Sequence, residues 1–378
     1  MDEVTTARRA FGAHLAALRK RARLTQPRLA ARLCLISGTA TVTRNDVSRW
    51  ERGKRVPDAW LPALATALAV PLAELERAAA RAWGEVPELP HDAHPHAVVQ
   101  QRTGWLLAHD STHGGDHVAD AAVQMWRAER ARITGDDKAH LAVVAETAEI
   151  AGWLLFDAAR PEEARAAWLE SLHLARTAGD QSMEWFAMDL LAMEAVQSGR
   201  VGEALALCDE VTSRAVPPRV ALLAEVRRGR AFAAAGDRAR ALQAIGRARS
   251  GLGDSLHPRD PHWAWWVDDL EVTGHEGEMS LRLGDPARAV PRIERAIELL
   301  EPVNPTGRGA LYYAVAELDT YVRLGAWREA EAPLLRMRPL LRTVASSRIR
   351  GRLRSALRSV DRDGPAWLAD TAHEVAAG

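Results

Sequence analysis

At 378 residues with 47% hydrophobic side chains, the chain is long enough to bury a sizeable core and to hold more than one domain. No apolar run approaches the roughly 18 residues of a membrane span, the N-terminus lacks a signal-peptide apolar stretch, and Cys34 and Cys208 offer neither zinc spacing nor a disulfide framework, so a soluble, cytoplasmic protein is expected. Residues 1–83 hold 15 Lys and Arg against 7 Asp and Glu, a net of +8, which leaves −8 for the rest of a neutral chain; a basic head on an acidic body points to a polyanion as the head's partner, with chance clustering as the alternative.

Strand signals are nearly absent, and apolar residues recur at three- and four-residue intervals among Ala, Arg and Glu, the period of amphipathic helices. In chain order, "FGAHLAALRKRARLTQPRLAARL" reads as one helix followed by a second that Thr25 caps, with Pro27 tolerated in its first turn. Thr43 caps a third short helix, "RNDVSRWERG", which Gly53 closes. "VPDAWLPALATALAVPLAELERA" supplies two more. Val47 and Trp50, three apart, face the core, so Trp50 packs rather than stacking on bases. Glu51 braces the fold or pairs with a nearby Arg, in preference to touching an anion such as DNA.

Five short helices carrying "TQ..LA", "VS.WE.G" and "LA.AL.V" in that order resemble the helix-turn-helix domain of the Xre/phage-repressor family over most of residues 8–76. The resemblance implies that the third helix enters the major groove of a double-stranded DNA operator. Arg44, Asn45 and Arg49 then read bases, because Arg spans guanine O6 and N7 and Asn pairs with adenine N6 and N7. Gln26, Thr43, Arg52, Lys54 and Arg55 match positions that hold phosphates. One departure is the turn "CLISGTATVTRND", longer than the family's, which either lengthens the second helix or forms a loop against the DNA backbone.

"GEVPELPHDAHPH" (84–96) breaks the helical period with three prolines and reads as a linker between a head, 1–83, and a body, 97–378. The body repeats itself. Aligned on Ala164, Ala204, Ala241, Ala289 and Ala330, its units are spaced by 40, 37, 48 and 41 residues, each preceded by a turn: "AARP", "SGR", "AGD", "LGD", "LGA". Twelve residues before each Ala stand Gly152, Ala192, Gly229, Gly277 and Leu318, four of them small enough for close helix approach. Four residues after come Trp168, Cys208, Ile245, Ile293 and Leu334. Two-helix units of this period stack into a solenoid and resemble tetratricopeptide repeats in degenerate form. A helix pair at about 97–109 and 116–134 precedes them, and "SSRIRGRLRSALRSVDR" supplies a polar capping helix. The stretch "GWLLFDAARPEEARAAWLESLHLARTAGD" (152–180), together with the long turn of the head, resembles a class of actinobacterial regulators.

Other constellations carry less. His109, His113 and His117 lie four apart, but "STHGGD" places glycines that break the helix, so a turn with exposed imidazoles is expected and no metal site. "HWAWW" (262–266) opens a helix as core and interface filler, or contributes to an aromatic ligand pocket or dimer contact. The arginine run 336–362 reads as a solvated capping face rather than a second nucleic-acid site. No phosphate loop, Gly-x-Ser-x-Gly elbow or HExxH occurs, so neither an enzyme nor a cofactor is expected.

An all-α chain is therefore expected: a five-helix helix-turn-helix head followed by a tetratricopeptide-like α-solenoid. Its expected role is a DNA-binding transcriptional regulator that forms a homodimer, since one head reads only a few base pairs. The alternative is a repeat-based interaction scaffold whose head is vestigial. Solenoids bind on the face lined by the first helix of each unit, which here carries Glu149, Trp153, Asp189, Met193, Arg230, Glu278, Tyr312 and Asp319, and in the same register Asp157, Gln197, Arg282 and Arg323. The mixture of carboxylates, arginines and large side chains suits an effector that is a short peptide with a positive charge, ahead of a small molecule or no ligand.

Overall fold

The computed structural model describes residues 3–37, 42–54, 56–57, 60–70, 72, 75, 79, 95–135 and 137–377. Among the described residues every regular element is helical and none is a strand. The chain divides into two compact units, Met1–Ala93 and His94–Gly378.

In the first unit α1 (Glu3–Arg21), α2 (Gln26–Ser37), α3 (Arg44–Glu51) and α4 (Leu61–Leu68) enclose a core in which Leu15, Leu29, Leu33, Val47, Leu64 and Leu75 are fully buried. α1 and α3 approach backbone to backbone at Gly12, where a Cβ would lie 2.4 Å from the Glu51 carbonyl oxygen. Where the fifth helix is expected, Leu72, Leu75 and Ala79 are helical. Residues 38–41 of the long turn, Arg55 and residues 84–94 of the linker lie outside the described residues.

The second unit opens with α5 (Pro95–His113) and α6 (Ala119–Ala131), at the place the sequence sets for an extra pair. Five hairpins follow: α7 (Lys138–Asp157) with α8 (Pro161–Ala178), α9 (Gln181–Gln197) with α10 (Val201–Thr212), α11 (Pro218–Ala234) with α12 (Arg238–Gly251), α13 (Asp269–Arg282) with α14 (Pro286–Leu300), and α15 (Arg308–Leu324) with α16 (Trp327–Thr343). The five aligned alanines are fully buried, and the residue four positions after each fills its hairpin core. In every hairpin the residue five before the aligned alanine takes the left-handed backbone conformation that reverses the chain. It is Gly199, Gly236, Gly284 and Gly325 in four hairpins and Ala159 (φ 59°) in the first. The small residue of the first helix faces the core residue of the second: a Cβ at Gly152 would meet Trp168 Nε1 at 2.4 Å, and one at Gly277 would meet Ile293 Cδ1 at 2.6 Å. α7 is long and apolar enough to cross a membrane by length and composition, and 78% of its apolar window is buried in the core.

The first helices of successive hairpins pack side by side, and α15 and α17 (Ser347–Asp363) return against α5 and α7. That return is fixed by backbone: Ala345 N–H donates to His113 O (2.7 Å) and Asp116 N–H to Ala345 O (3.1 Å). Ser347 donates to Asp116 from its backbone N–H (2.8 Å) and its hydroxyl (2.9 Å). The arginines of 336–362 do not all lie on the solvated face expected of them, because Arg348 and Arg352 of α17 turn inward to carboxylates of the repeats. A further helix, α18 (Ala366–Ala377), which the periodicity did not indicate, buries Leu368, Ala372 and Val375 beside Leu334 and Met337 of α16.

Two smaller expectations are also corrected. α5 runs through His113, so His109 and His113 share one helix, with ring centroids 5.0 Å apart, and only His117 lies beyond the break. "HWAWW" forms a single 3-10 turn, His262–Trp266, rather than the start of a helix. Its Trp263 is core filler, stacked on Phe186 at 4.5 Å and donating to Ser182 O (3.0 Å), while Trp265 is exposed.

Candidate nucleic-acid interface and repeat inner face

α3 is short, so its ends decide whether it forms. Thr43 stands at the N-cap with its side chain accepting from Asp46 N–H, and Asp46 answers by accepting from Thr43 N–H (3.0 Å), a reciprocal capping box. At the other end Gly53 (φ 67°) turns the chain, with Gly53 N–H donating to Trp50 O (2.9 Å) and Lys54 N–H to Arg49 O (2.9 Å). Val47 and Trp50 point into the core, and Trp50 meets Trp60 with ring centroids 6.5 Å apart. The opposite face carries Arg44, Asn45 and Arg49, all exposed. Arg49 is only loosely engaged by Asp46, at 3.9 Å. Arg52 is exposed and donates from Nε to Ser48 O (3.0 Å), which draws it along the end of α3; Lys54 is exposed. Thr43 is exposed, but its hydroxyl is engaged by Asp46 (2.7 Å).

Glu51 ties the three helices together. Its carboxylate accepts from Arg19 Nε and Nη2 (3.0 Å) on α1 and from Gln26 Nε2 (2.7 Å) on α2, and its side chain is only 8% exposed. Arg19 also donates to Leu24 O (2.7 Å), which fixes the turn between α1 and α2. This is the brace the sequence assigned to Glu51. Nothing in the sequence singles out Arg19 among Arg19, Lys20, Arg21 and Arg23, because all four cluster at one helix end. Gln26 has one of its two amide N–H groups committed to Glu51.

On the inner face of the repeats most carboxylates already have cations. Asp189 is held by Arg227 through two bonds, Nε to Oδ1 (2.9 Å) and Nη2 to Oδ2 (2.8 Å), and Arg227 also reaches His275 (2.9 Å). Glu278 is paired with Arg352 and lies 3.6 Å from Arg230; Asp319 takes Arg323 (2.8 Å) and Arg352 (3.4 Å). Trp153 donates from Nε1 to Asp110 (2.9 Å) beneath the Arg308 guanidinium, 5.0 Å from its ring. Asp157, fully buried, accepts from Gly115 N–H (3.0 Å), Ser346 Oγ (2.9 Å) and Arg348 (3.1 Å). Tyr312 has the guanidinium carbons of Arg348 and Arg352 both 5.6 Å from its ring centre. Met193 packs half-buried on the core, Gln197 and Arg282 are exposed, and Glu149 is buried with Glu146 as its charged neighbour. The structure thus joins Trp153 and Tyr312 through Arg348, and Glu278 and Asp319 through Arg352 with Arg230 beside Glu278, while Asp189 and Glu149 stand apart. Asp110, Arg227, Arg308, Arg348 and Arg352 were not among the residues expected here. Arginine looks the same in sequence whether it faces water or a buried acid.

Among the described residues no cluster of His, Cys, Asp or Glu is arranged for a metal ion. Residues 10–78 match the helix-turn-helix domain family. No curated protein matches the chain. Among solved structures, the chain is similar to Bacillus thuringiensis PlcR in complex with the peptide PapR7 and DNA, at 13% identity, covering 77% of this chain and 95% of that chain with a TM-score of 0.39.

Proposed function

We propose that the protein is a sequence-specific DNA-binding transcriptional regulator of the Xre/phage-repressor kind, without enzymatic activity, acting in the cytoplasm as a homodimer on an inverted repeat. The supporting observation is the division of labour on α3. One face, Val47 and Trp50, is locked into the core, while the other presents Arg44, Asn45 and Arg49 to solvent from a helix capped at both ends and braced by Glu51. In the major groove these side chains carry the donors that guanine and adenine edges accept. Gln26, Thr43, Arg52 and Lys54 flank them as phosphate contacts, and Arg55 is assigned the same part from sequence alone. The repeats are read as the dimerising and effector-sensing part, with a short peptide or small molecule on the inner face, where carboxylates, arginines and large side chains mix. The self-pairing of Asp189, Glu278 and Asp319 narrows where such a ligand finds free polar groups. Selection of bound sequences from random duplex DNA by the purified full chain tests the reading: an enriched inverted repeat is expected, and enrichment of nothing would reject it.

A further inference from the structure

Each inner-face carboxylate described above has a cation of the chain's own except one. Asp110 and Asp157 share Arg308 and Arg348, Asp189 has Arg227, and Glu278 and Asp319 share Arg352. Glu149 is 5% exposed and no donor among the described residues reaches its carboxylate. It lies on α7 one turn before Trp153 and two before Asp157, the stripe whose side chains engage Asp110 and Ser346. Glu146, a turn back, takes the hydroxyl of Thr103 from α5, and His262 and Asp180 are the charged groups that bear on it from the neighbouring elements.

We propose that Glu149, with Glu146 beside it, is the recognition point on the inner face for a primary ammonium group, carried by a small amine or by a free peptide N-terminus. The inference rests on reading the inner face as the effector-sensing surface. Two carboxylates one helical turn apart, one of them buried, do not readily both ionise without a compensating cation. Burial first, and Glu146 second, push the Glu149 carboxyl well above the usual carboxylate range, so its charged form is disfavoured without a nearby cation. An ammonium brings one positive charge and three N–H donors to a pair in which only Glu146 has a donor, the Thr103 hydroxyl, and its charge favours the ionised form of Glu149. A hard divalent cation wants six or more oxygens, which two carboxylates and one hydroxyl do not supply. A guanidinium would stack on Trp153, a position Arg308 already takes.

Calorimetry on the full chain, with tyramine, Phe-Gly-amide and acetyl-Phe-Gly-amide as probes, tests this, and the binding reaction is repeated in buffers of different ionisation enthalpy. Tyramine or the free dipeptide is expected to bind, with an enthalpy that varies with the buffer because Glu149 favours its ionised form once the ammonium is bound, and the acetylated peptide is not. Binding by the dipeptide and not tyramine identifies a peptide N-terminus as the source; the reverse identifies a small amine. Glu149→Gln is expected to lose at least tenfold in affinity with an unchanged melting temperature, since glutamine keeps the shape of the side chain without its charge. Equal binding by Glu149→Gln, binding of the acetylated peptide as tight as the free one, or no binding by either amine at concentrations on the order of 1 mM would overturn the site. A parallel titration of operator DNA separates the two readings: amine binding through Glu149 that leaves DNA affinity unchanged keeps the site and removes the sensing role.

Discussion

Glu51 at the end of α3 accepts from Arg19 of α1 and from Gln26 of α2, so a single carboxylate sets the position of the helix that carries Arg44, Asn45 and Arg49. With side chains 12% and 8% exposed, the Arg19–Glu51 pair is close to buried. Removing one partner of such a pair strands the other charge, at a cost of about 3–5 kcal/mol, whereas an exposed pair contributes under about 1 kcal/mol. Arg19→Met is therefore expected to speed hydrogen exchange at the Val47 to Trp50 amides and to weaken binding to all duplexes alike. Arg19→Met with Glu51→Leu should recover part of the loss, because no lone charge is left. Normal protection of α3 in Arg19→Met would show that the brace contributes nothing.

Base reading and phosphate holding separate by their salt dependence. Arg49→Ala should weaken operator binding by about 1–3 kcal/mol and relax one operator position. Lys54→Ala should weaken every duplex equally and lower the salt slope by about one unit. Titrations at several salt concentrations against operator and scrambled DNA check both. Unchanged sequence preference in Arg49→Ala would mean that a different face of α3 meets the bases.

The hairpins yield a graded series. At Gly152 a Cβ would fall 2.4 Å from Trp168 Nε1 and 2.6 Å from its Cδ1, a ring with nowhere to go inside a full core, so Gly152→Ala should destabilise by about 1–3 kcal/mol. At Gly229 the nearest atoms stand at 3.5 Å, ordinary contact, and Gly229→Ala should be neutral or stabilising by up to about 1 kcal/mol through helix propensity. Ala159 occupies, at φ 59°, the turn position that glycine fills in the other four hairpins, so Ala159→Gly should stabilise by about 1 kcal/mol. Thermal melts of the three variants give the order; a Gly152→Ala melt equal to Gly229→Ala would contradict the packing.

What could be read from sequence was local. The aligned alanines, the small residues twelve before them and the turns between are all set by contacts within about 20 residues, and each one appears in the hairpins. The same holds for the caps of α3 at Thr43 and Gly53. The return of α17 onto α5 and α7 was not legible, because its bonds join Asp116 to Ser347 and His113 to Ala345 across more than two hundred residues with no repeating pattern. Arg348 and Arg352 follow the spacing of an ordinary amphipathic helix and differ from Arg354 or Arg358 only in what faces them. For the same reason Asp189 and Glu278, which look like free groove carboxylates in sequence, are ion-paired, and reversing their charges would test the fold before it tested any ligand.

The ion pair between Glu278 of α13 and Arg352 of α17 gives the acid behaviour of this return a definite sign. Burial disfavours the Glu278 carboxylate, but Arg352 and then Arg230 outweigh it and hold the group at about 2, below the ordinary value of 4.5. A carboxyl whose folded value lies below its unfolded one contributes stability that is complete above the unfolded value and disappears as pH falls toward the folded value. The window is therefore pH 4.5 down to 2. Asp157, held by Arg308 and Arg348 against the cost of its burial, is also lowered and acts in the same direction. Arg352→Met leaves Glu278 with Arg230 alone, 3.6 Å away, so Glu278 should take up its proton at a higher pH. Melts followed by near-ultraviolet dichroism at pH 7, 5 and 3 should show the wild type well above Arg352→Met at pH 7, with the difference shrinking as pH drops through the window. A constant gap between the two profiles, or no gap at pH 7, would show that this pair does not hold α17 against the repeats.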